Sequence, residues 1–332
     1  MFKAYSDFLN ESRAYSNSVS DIEPILKEML VKLLKAASKD AMAGHMHGKQ
    51  IDTLKFRSKQ FPIGKCTVNL RWVVRDNEPT LRTAASYKND MQIVDNKAEF
   101  SVNFDIRIPL TFYLTSRDET RFFERVEKEL INKYFFDSFI AHEFTHALDD
   151  YKLIKKGDLG IAGTPGYAKN VTAQKLLSAG NPHQAFMDLF YYMYASDPVE
   201  MRAMIAGTAT RIKAASRKDA VEILRDSEAY KTATLMEKFS IHDFKKIPLG
   251  DLQKEIIEII DLLNTNTNYA AQVALTLKKE TTDINKFKMY LSTLKAPDLT
   301  DTPDEFLKPL IADINTAGKK MKRKLLKLIS VS

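Results

Sequence analysis

Apolar positions along the chain follow two periods, one of three to four residues and one of two, and the switches between them outline the elements. Over 22–42 the apolar residues Ile25, Leu26, Met29, Leu30, Leu33 and Leu34 recur at helical spacing, which predicts a helix headed by Ser20-Asp21 that packs on a sheet. Residues 66–75, CTVNLRWVVR, and 98–107, AEFSVNFDIR, alternate instead, with Phe100, Val102, Phe104 and Ile106 on one side. They predict strands of a small antiparallel sheet, with AEFSVNFDIR or the preceding MQIVD as its edge. The period returns to helical over 118–134, where Glu124 and Lys128, and Arg125 and Glu129, form opposite-charge pairs four apart. In 138–151, SFIAHEFTHALDDY, the residues Ile140, Phe144, Ala147, Leu148 and Tyr151 make an apolar stripe that belongs in a core. KKGDLGIAGTPGYAKN has glycines at 157, 160, 163 and 166, which suit a connector or a lid over a cleft and no regular helix. From about Lys245 the pattern is helical throughout, with Pro297 to Pro303 as a hinge before the last helix.

The expected fold class is therefore α+β and mostly helical: a domain over 18–244 with a small sheet ahead of the 138–151 helix, then an all-α region over 245–332. Composition agrees, since 11 Gly and 11 Pro in 332 residues leave few breaks, and 44% hydrophobic content fills a core. No apolar run approaches the length needed to span a bilayer, and the N-terminus lacks a signal-type apolar segment, so a soluble protein is expected. The lone Cys66, in a strand pattern, excludes an intramolecular disulfide and reads as inert. The formal charge of +7 is carried mostly by Lys319, Lys320, Lys322, Arg323, Lys324 and Lys327. That leaves a nearly neutral body, from which no general nucleic-acid surface is expected; the basic tail could bind an anionic membrane, nucleic acid or protein, or be a solvated terminal helix.

One stretch carries chemistry. His142 and His146 stand four apart, so on a helix their imidazoles project from neighbouring turns and can share one ion at roughly 2.0–2.1 Å. Glu143 points beside the pair. In this HExxH pattern two neutral imidazoles hold zinc, which lowers the pKa of water from about 15.7 to about 7, and the carboxylate acts as general base. The same spacing suits a surface helix with two solvated histidines, but the apolar approach Phe139-Ile140-Ala141 argues for a buried one, where unpartnered imidazoles and a carboxylate would be costly. A third ligand is not fixed by the motif. The HExxHxxGxxH pattern is excluded by Asp149 and Lys152, and His183 lies in a turn-like Asn181-Pro182-His183. Asp149 suits either an acceptor that orients an imidazole or a solvated helix end. His45 and His47 read as solvated.

HEFTHALDDY resembles the HEFGHAVDDY type of sequence in the anthrax lethal factor branch of the zincin metallopeptidases; the likeness covers the helix and little more. It implies a zincin-like domain with a sheet edge that holds an extended peptide, a downstream glutamate as third ligand and a tyrosine before it that stabilises the oxyanion. The nearest match is FYYMYASDPVEMRAMIAG, which offers Glu200, 54 positions after His146, with Tyr194 and Tyr191 as the tyrosines. Asp197-Pro198-Val199-Glu200 also reads as a capping box, in which the carboxylate serves only its own helix. The implied function is a zinc-dependent metallopeptidase acting on a protein or peptide substrate. The rival is a catalytically silent zincin scaffold that works by binding, as a virion or host-interacting protein. The first 17 residues resemble the short capsid-targeting leaders of internal proteins in large tailed bacteriophages, with Leu9-Asn10-Glu11 as the cleavage site, which implies a bacterial host cytoplasm or a virion; a loosely docked terminus fits the same residues.

Overall fold

A computed structural model describes residues 22–57, 64–88, 90–95, 97–116, 118–130, 135–157, 160–161, 167–213, 215–277 and 303–330. The leader-like segment, the Leu9-Asn10-Glu11 site, most of the glycine-rich stretch and the Pro297–Pro303 hinge lie outside them. The elements are α1 (Glu23–Met42), β1 (His47–Phe56), β2 (Gly64–Arg75), β3 (Arg82–Tyr87), β4 (Gln92–Val94), β5 (Lys97–Pro109), α2 (Leu110–Thr115), α3 (Glu119–Leu130), α4 (Phe135–Lys155), α5 (Tyr167–Ala179), α6 (Gln184–Ala195), α7 (Pro198–Lys213), α8 (Arg217–Asp226), α9 (Glu228–Lys238), a 3-10 turn Ile241–Phe244, α10 (Leu249–Leu277) and α11 (Pro303–Ser330). The architecture is mostly helical with one small mixed sheet. No helix among the described residues is long and apolar enough to cross a membrane. By its contacts the chain divides into two units, Met1–Lys152 with Ala209–Ala214, and Leu153–Thr208 with Ala215–Ser332, and the division runs through α4 and α7.

The first unit is built on the sheet, in the order β1-β2-β5-β3, with β4 also on β5. The outer pairs are antiparallel, but β2 and β5 run parallel, Gly64 against Ala98 through Arg75 against Pro109. The all-antiparallel expectation is corrected here. Alternation shows which face of a strand is buried and says nothing of its neighbour's direction; the edge strands β3 and β4 intervene in sequence, and β5 then runs beside β2 in the same sense. AEFSVNFDIR is accordingly interior, not an edge, while the MQIVD stretch does supply an edge strand, β4. β1, which the pattern did not reveal, is largely polar and buries only Leu54 and Phe56 at its end.

One face of the sheet, with Val68, Leu70, Val102, Phe104 and Ile106, is buried. Helix α1 packs on β1 and β2 with Leu26, Met29, Leu30, Leu33 and Leu34; Ile25, expected in that stripe, is 45% exposed because the buried arc continues through Ala37 and Ala41 instead. Phe144 of α4 meets Phe100 edge-on at 5.5 Å between centroids and Phe56 at 6.1 Å, and Tyr87 sits edge-on to Phe100, each pair contributing about 0.5–1.5 kcal/mol beyond its buried area. Arg125 donates to the Phe112 carbonyl and to the hydroxyls of Thr115 and Ser116, closing the end of α2; the side chain of Glu129, its expected partner, lies outside the described residues.

The second unit has its own core, in which Leu176, Phe186, Leu189, Phe190 and Met193 from α5 and α6 pack with Met236, Phe239, Ile259, Phe306, Leu307 and Ile311. The C-terminal helices share this core with α5 and α6. Gly318 allows α11 to lie against α9; a Cβ there would stand 2.7 Å from Met236 Cβ and 2.9 Å from the Ala233 carbonyl oxygen. The basic tail is thus a docked helix, with Met321 and Leu325 buried and Lys322 paired to Glu237 at 2.7 Å.

Candidate metal centre

The expected stripe of α4 is buried, with Ile140, Phe144, Ala147, Leu148 and Tyr151 all at 6% exposure or less. Its other side is buried as well. Glu143, His146, Asp149 and Asp150 are each under 9% exposed, and only His142 is partly open. A helix that sinks this many ionisable groups carries a large desolvation cost unless they are engaged.

The two imidazoles are arranged as a pair. Their Nε2 atoms are 3.1 Å apart and the rings meet edge to face at 79°. Two ligands held 2.0–2.1 Å from a tetrahedral ion stand about 3.3 Å apart, so this separation is close to what a shared cation requires. One ligand atom each from His142, His146 and Glu200 lies within 4.8 Å of the others. Two imidazole nitrogens and one carboxylate oxygen are a donor set that a borderline cation accepts, and three protein ligands leave a tetrahedral position open.

Glu200 stands in the first turn of α7, after Pro198. Asp197 accepts from the Val199 N–H at 2.8 Å and caps the helix, while its own N–H donates to the Tyr194 carbonyl at 3.1 Å. Glu200 is also engaged from outside its own helix. Its Oε1 accepts from Asn170 Nδ2 of α5 at 3.3 Å, and Asn170 Oδ1 accepts from Gln174 Nε2 at 2.9 Å. Asn170 and Glu200 are both buried.

Glu143 is held from the sheet. The backbone N–H of Tyr87, the last residue of β3, donates to Glu143 Oε2 at 2.6 Å. The phenol of the same tyrosine donates to buried Asp150, and burial followed by the Asp150 charge pushes its pKa well above the ordinary value, so it stays a donor. One residue at the end of an edge strand thus contacts both Glu143 and Asp150. Asp149, at 5% exposure, is not a solvated helix end.

The remaining candidates separate. The Tyr191 hydroxyl donates to Glu228 Oε1 at 2.8 Å and lies 3.2 Å from Thr232 Oγ1; burial, then Glu228, raises its pKa. Tyr194 is half-buried, its ring 6.5 Å from that of Tyr191. His183 lies in the expected turn, its N–H on Asn181 Oδ1, and its ring is 3.6 Å from Asp251. His45 and His47 are exposed. Sequence reasoning missed Tyr87, Asp150, Asn170 and Gln174. The four-residue spacing of Asn170 and Gln174 was a visible helical signal, whereas nothing local ties Tyr87 to a helix 56 positions away. Compared with known proteins, the chain matches no family model, no curated protein and no solved structure.

Proposed function

We propose that this chain is a zinc-dependent peptidase that hydrolyses peptide bonds of a protein substrate. The reading rests on one observation, the convergence of the His142, His146 and Glu200 ligand atoms within 4.8 Å beside a buried Glu143. His142, His146 and Glu200 are the residues that would hold the ion. When bound, zinc supplies Lewis acidity toward a carbonyl oxygen and makes water more acidic. Glu143 takes the proton released by the attacking water and returns it to the leaving amine nitrogen. The Tyr87 N–H engages Oε2 and so fixes the carboxylate plane, leaving Oε1 as the oxygen that carries the proton. Tyr194 and Tyr191 are the candidates to polarise the oxyanion, and the Tyr191 hydroxyl would first have to leave Glu228. An extended peptide would add to β3, whose last residue contacts Glu143. The setting that accompanies this reading, a bacteriophage virion or its host cytoplasm, rests on the resemblance of the first 17 residues alone.

The test is metal content by mass spectrometry with a cleavage assay on denatured protein substrates. Near-stoichiometric zinc is expected in the unmutated chain and its loss in His142→Ala. Glu143→Gln should keep the metal and lose cleavage. A metal-free unmutated protein would falsify the site. Zinc without turnover on any substrate would replace the peptidase by the binding scaffold.

A further inference from the structure

The core of the first unit lies on one face of its sheet; on the opposite face Asn69 and the terminal Pro109 are buried and the other described strand residues are half-buried or exposed. Along that opposite face, strand alternation aligns Lys49 and Lys55 of β1, Lys65, Arg71 and Arg75 of β2, Lys97 and Arg107 of β5, and Arg82 of β3. The acids on that face are Glu99, which pairs with Lys65 at 3.3 Å, and Asp105, which holds Arg71 through two bonds of 2.6 and 2.8 Å. Glu78 approaches Arg82 at 2.9 Å. Lys49, Lys55, Arg75, Lys97 and Arg107 are all exposed.

The register adds a second observation. Lys49 stands directly opposite Arg71, Lys55 opposite Lys65, and Arg82 opposite Arg107. Like charges opposite one another destabilise a sheet; Glu99, Asp105 and Glu78 offset one member of each pair, which leaves Lys55, Lys49 and Arg107 for an anionic partner to engage. Arg71, Arg75, Arg82 and Arg107, from three neighbouring strands, also line a cavity of about 440 Å³, whose one acidic group is Asp105 and whose lining includes Trp72. Guanidinium groups gathered in this way suit phosphate oxygens, which they can bind in bidentate fashion.

Shape and chemistry decide the partner. Strands of 12 and 13 residues run about 40 Å, which covers roughly one turn, about 34–36 Å, of a double helix. Between the cations stand Thr53, Thr67, Ser86, Ser101 and Asn103, hydrogen-bonding groups suited to sugar and phosphate. Among the described strand residues, alternation places no Phe, Tyr or Trp on this face, so the strands offer no platform on which unpaired bases could stack. We propose that the open face of the sheet binds double-helical nucleic acid through its phosphate backbone, independently of base sequence. This surface is separate from the proposed metal centre and does not depend on it.

The experiment is fluorescence anisotropy of the full-length protein with a DNA duplex of about two helical turns, across a salt series. Each phosphate contact contributes a slope near −0.9 in log K against log salt, or about eightfold in affinity at 0.1 M. Arg75→Ala with Arg107→Ala should weaken binding roughly 60-fold at that salt and lower the slope by about two. Neither arginine has an ion-pair partner among the described residues, so their removal strands no acid; circular dichroism melting confirms that the variant is folded. Lys245→Ala with Lys246→Ala removes the same charge elsewhere and should leave affinity within about twofold. Four results would overturn the proposal: no salt-dependent binding by the unmutated chain; loss confined to Lys319→Ala with Lys320→Ala, which would assign binding to the terminal helix; equal displacement by polyglutamate, which would point to an acidic protein; or tighter binding of an unpaired strand than of the duplex.

Discussion

Replacing Asn170 by leucine tests how Glu200, the proposed third ligand, is held. In the native arrangement Gln174 donates to Asn170 and Asn170 donates to Glu200 Oε1 at 3.3 Å, both partners of the second bond being buried. A hydrogen bond to a charged acceptor contributes about 1.5–3 kcal/mol, and a bond at the long end of the distance range belongs near the lower figure. At about 1.4 kcal/mol per decade, Asn170→Leu should weaken zinc binding by about tenfold, within the 10–100-fold typical of groups that orient a ligand. Gln174→Leu, one bond further out, should cost about two- to threefold, because it frees Asn170 to rotate without removing its amide. The assay is competition for zinc against a chromophoric chelator, with melting curves to show that each variant is folded. Wild-type zinc affinity in a folded Asn170→Leu protein would refute the positioning argument. Wild-type affinity in Glu200→Ala would remove its premise, that the carboxylate is a ligand at all.

Other substitutions probe the frame around the site. Phe144→Ala empties the aromatic cluster with Phe56 and Phe100 and should cost about 3–5 kcal/mol in denaturant unfolding; a loss under about 1 kcal/mol would mean that α4 is not anchored there. Gly318→Ala drives a methyl into Met236 and the Ala233 carbonyl, and should destabilise by about 1–3 kcal/mol, whereas the usual helix-propensity gain would raise the melting temperature. Cys66 is fully buried and its thiol pKa is pushed up by desolvation, so it should resist iodoacetamide in the native protein and react completely in denaturant. The hydrogen bond from Lys322 holds the Glu237 carboxyl below its ordinary value. The pair's contribution is therefore present above the ordinary carboxylate range and fades as pH falls through the lowered value; Lys322→Met should flatten the acid limb of the stability profile measured by urea unfolding.

Periodicity made the hidden half of each element legible and left pairing obscure. The stripe of α4 and the inward residues of β2 and β5 were readable because burial writes itself into local spacing. The parallel register of β2 and β5 was not, since strand direction depends on where the intervening chain goes. β1 escaped because nearly all of it is polar and its pairing, Leu54 to Cys66, is what makes it a strand. The histidine pair was visible at fixed spacing, but Tyr87, which reaches Glu143 through a backbone N–H, leaves no side-chain signal for that contact. Net charge hides local sorting in a similar way: the body sums to nearly zero, while alternation places eight cations on one side of the sheet.

The central place of β5 has a consequence for the order of assembly. Strands β2, β3 and β4 all pair with it, yet it is the last of the five to be synthesised, so a nascent chain that has reached residue 96 holds only the hairpin of β1 and β2. Its partners must wait with open edges, and closing contacts such as Gly64 with Ala98 spans a loop that makes nucleation slow. A truncation ending before β5 would therefore be aggregation-prone, not merely incomplete.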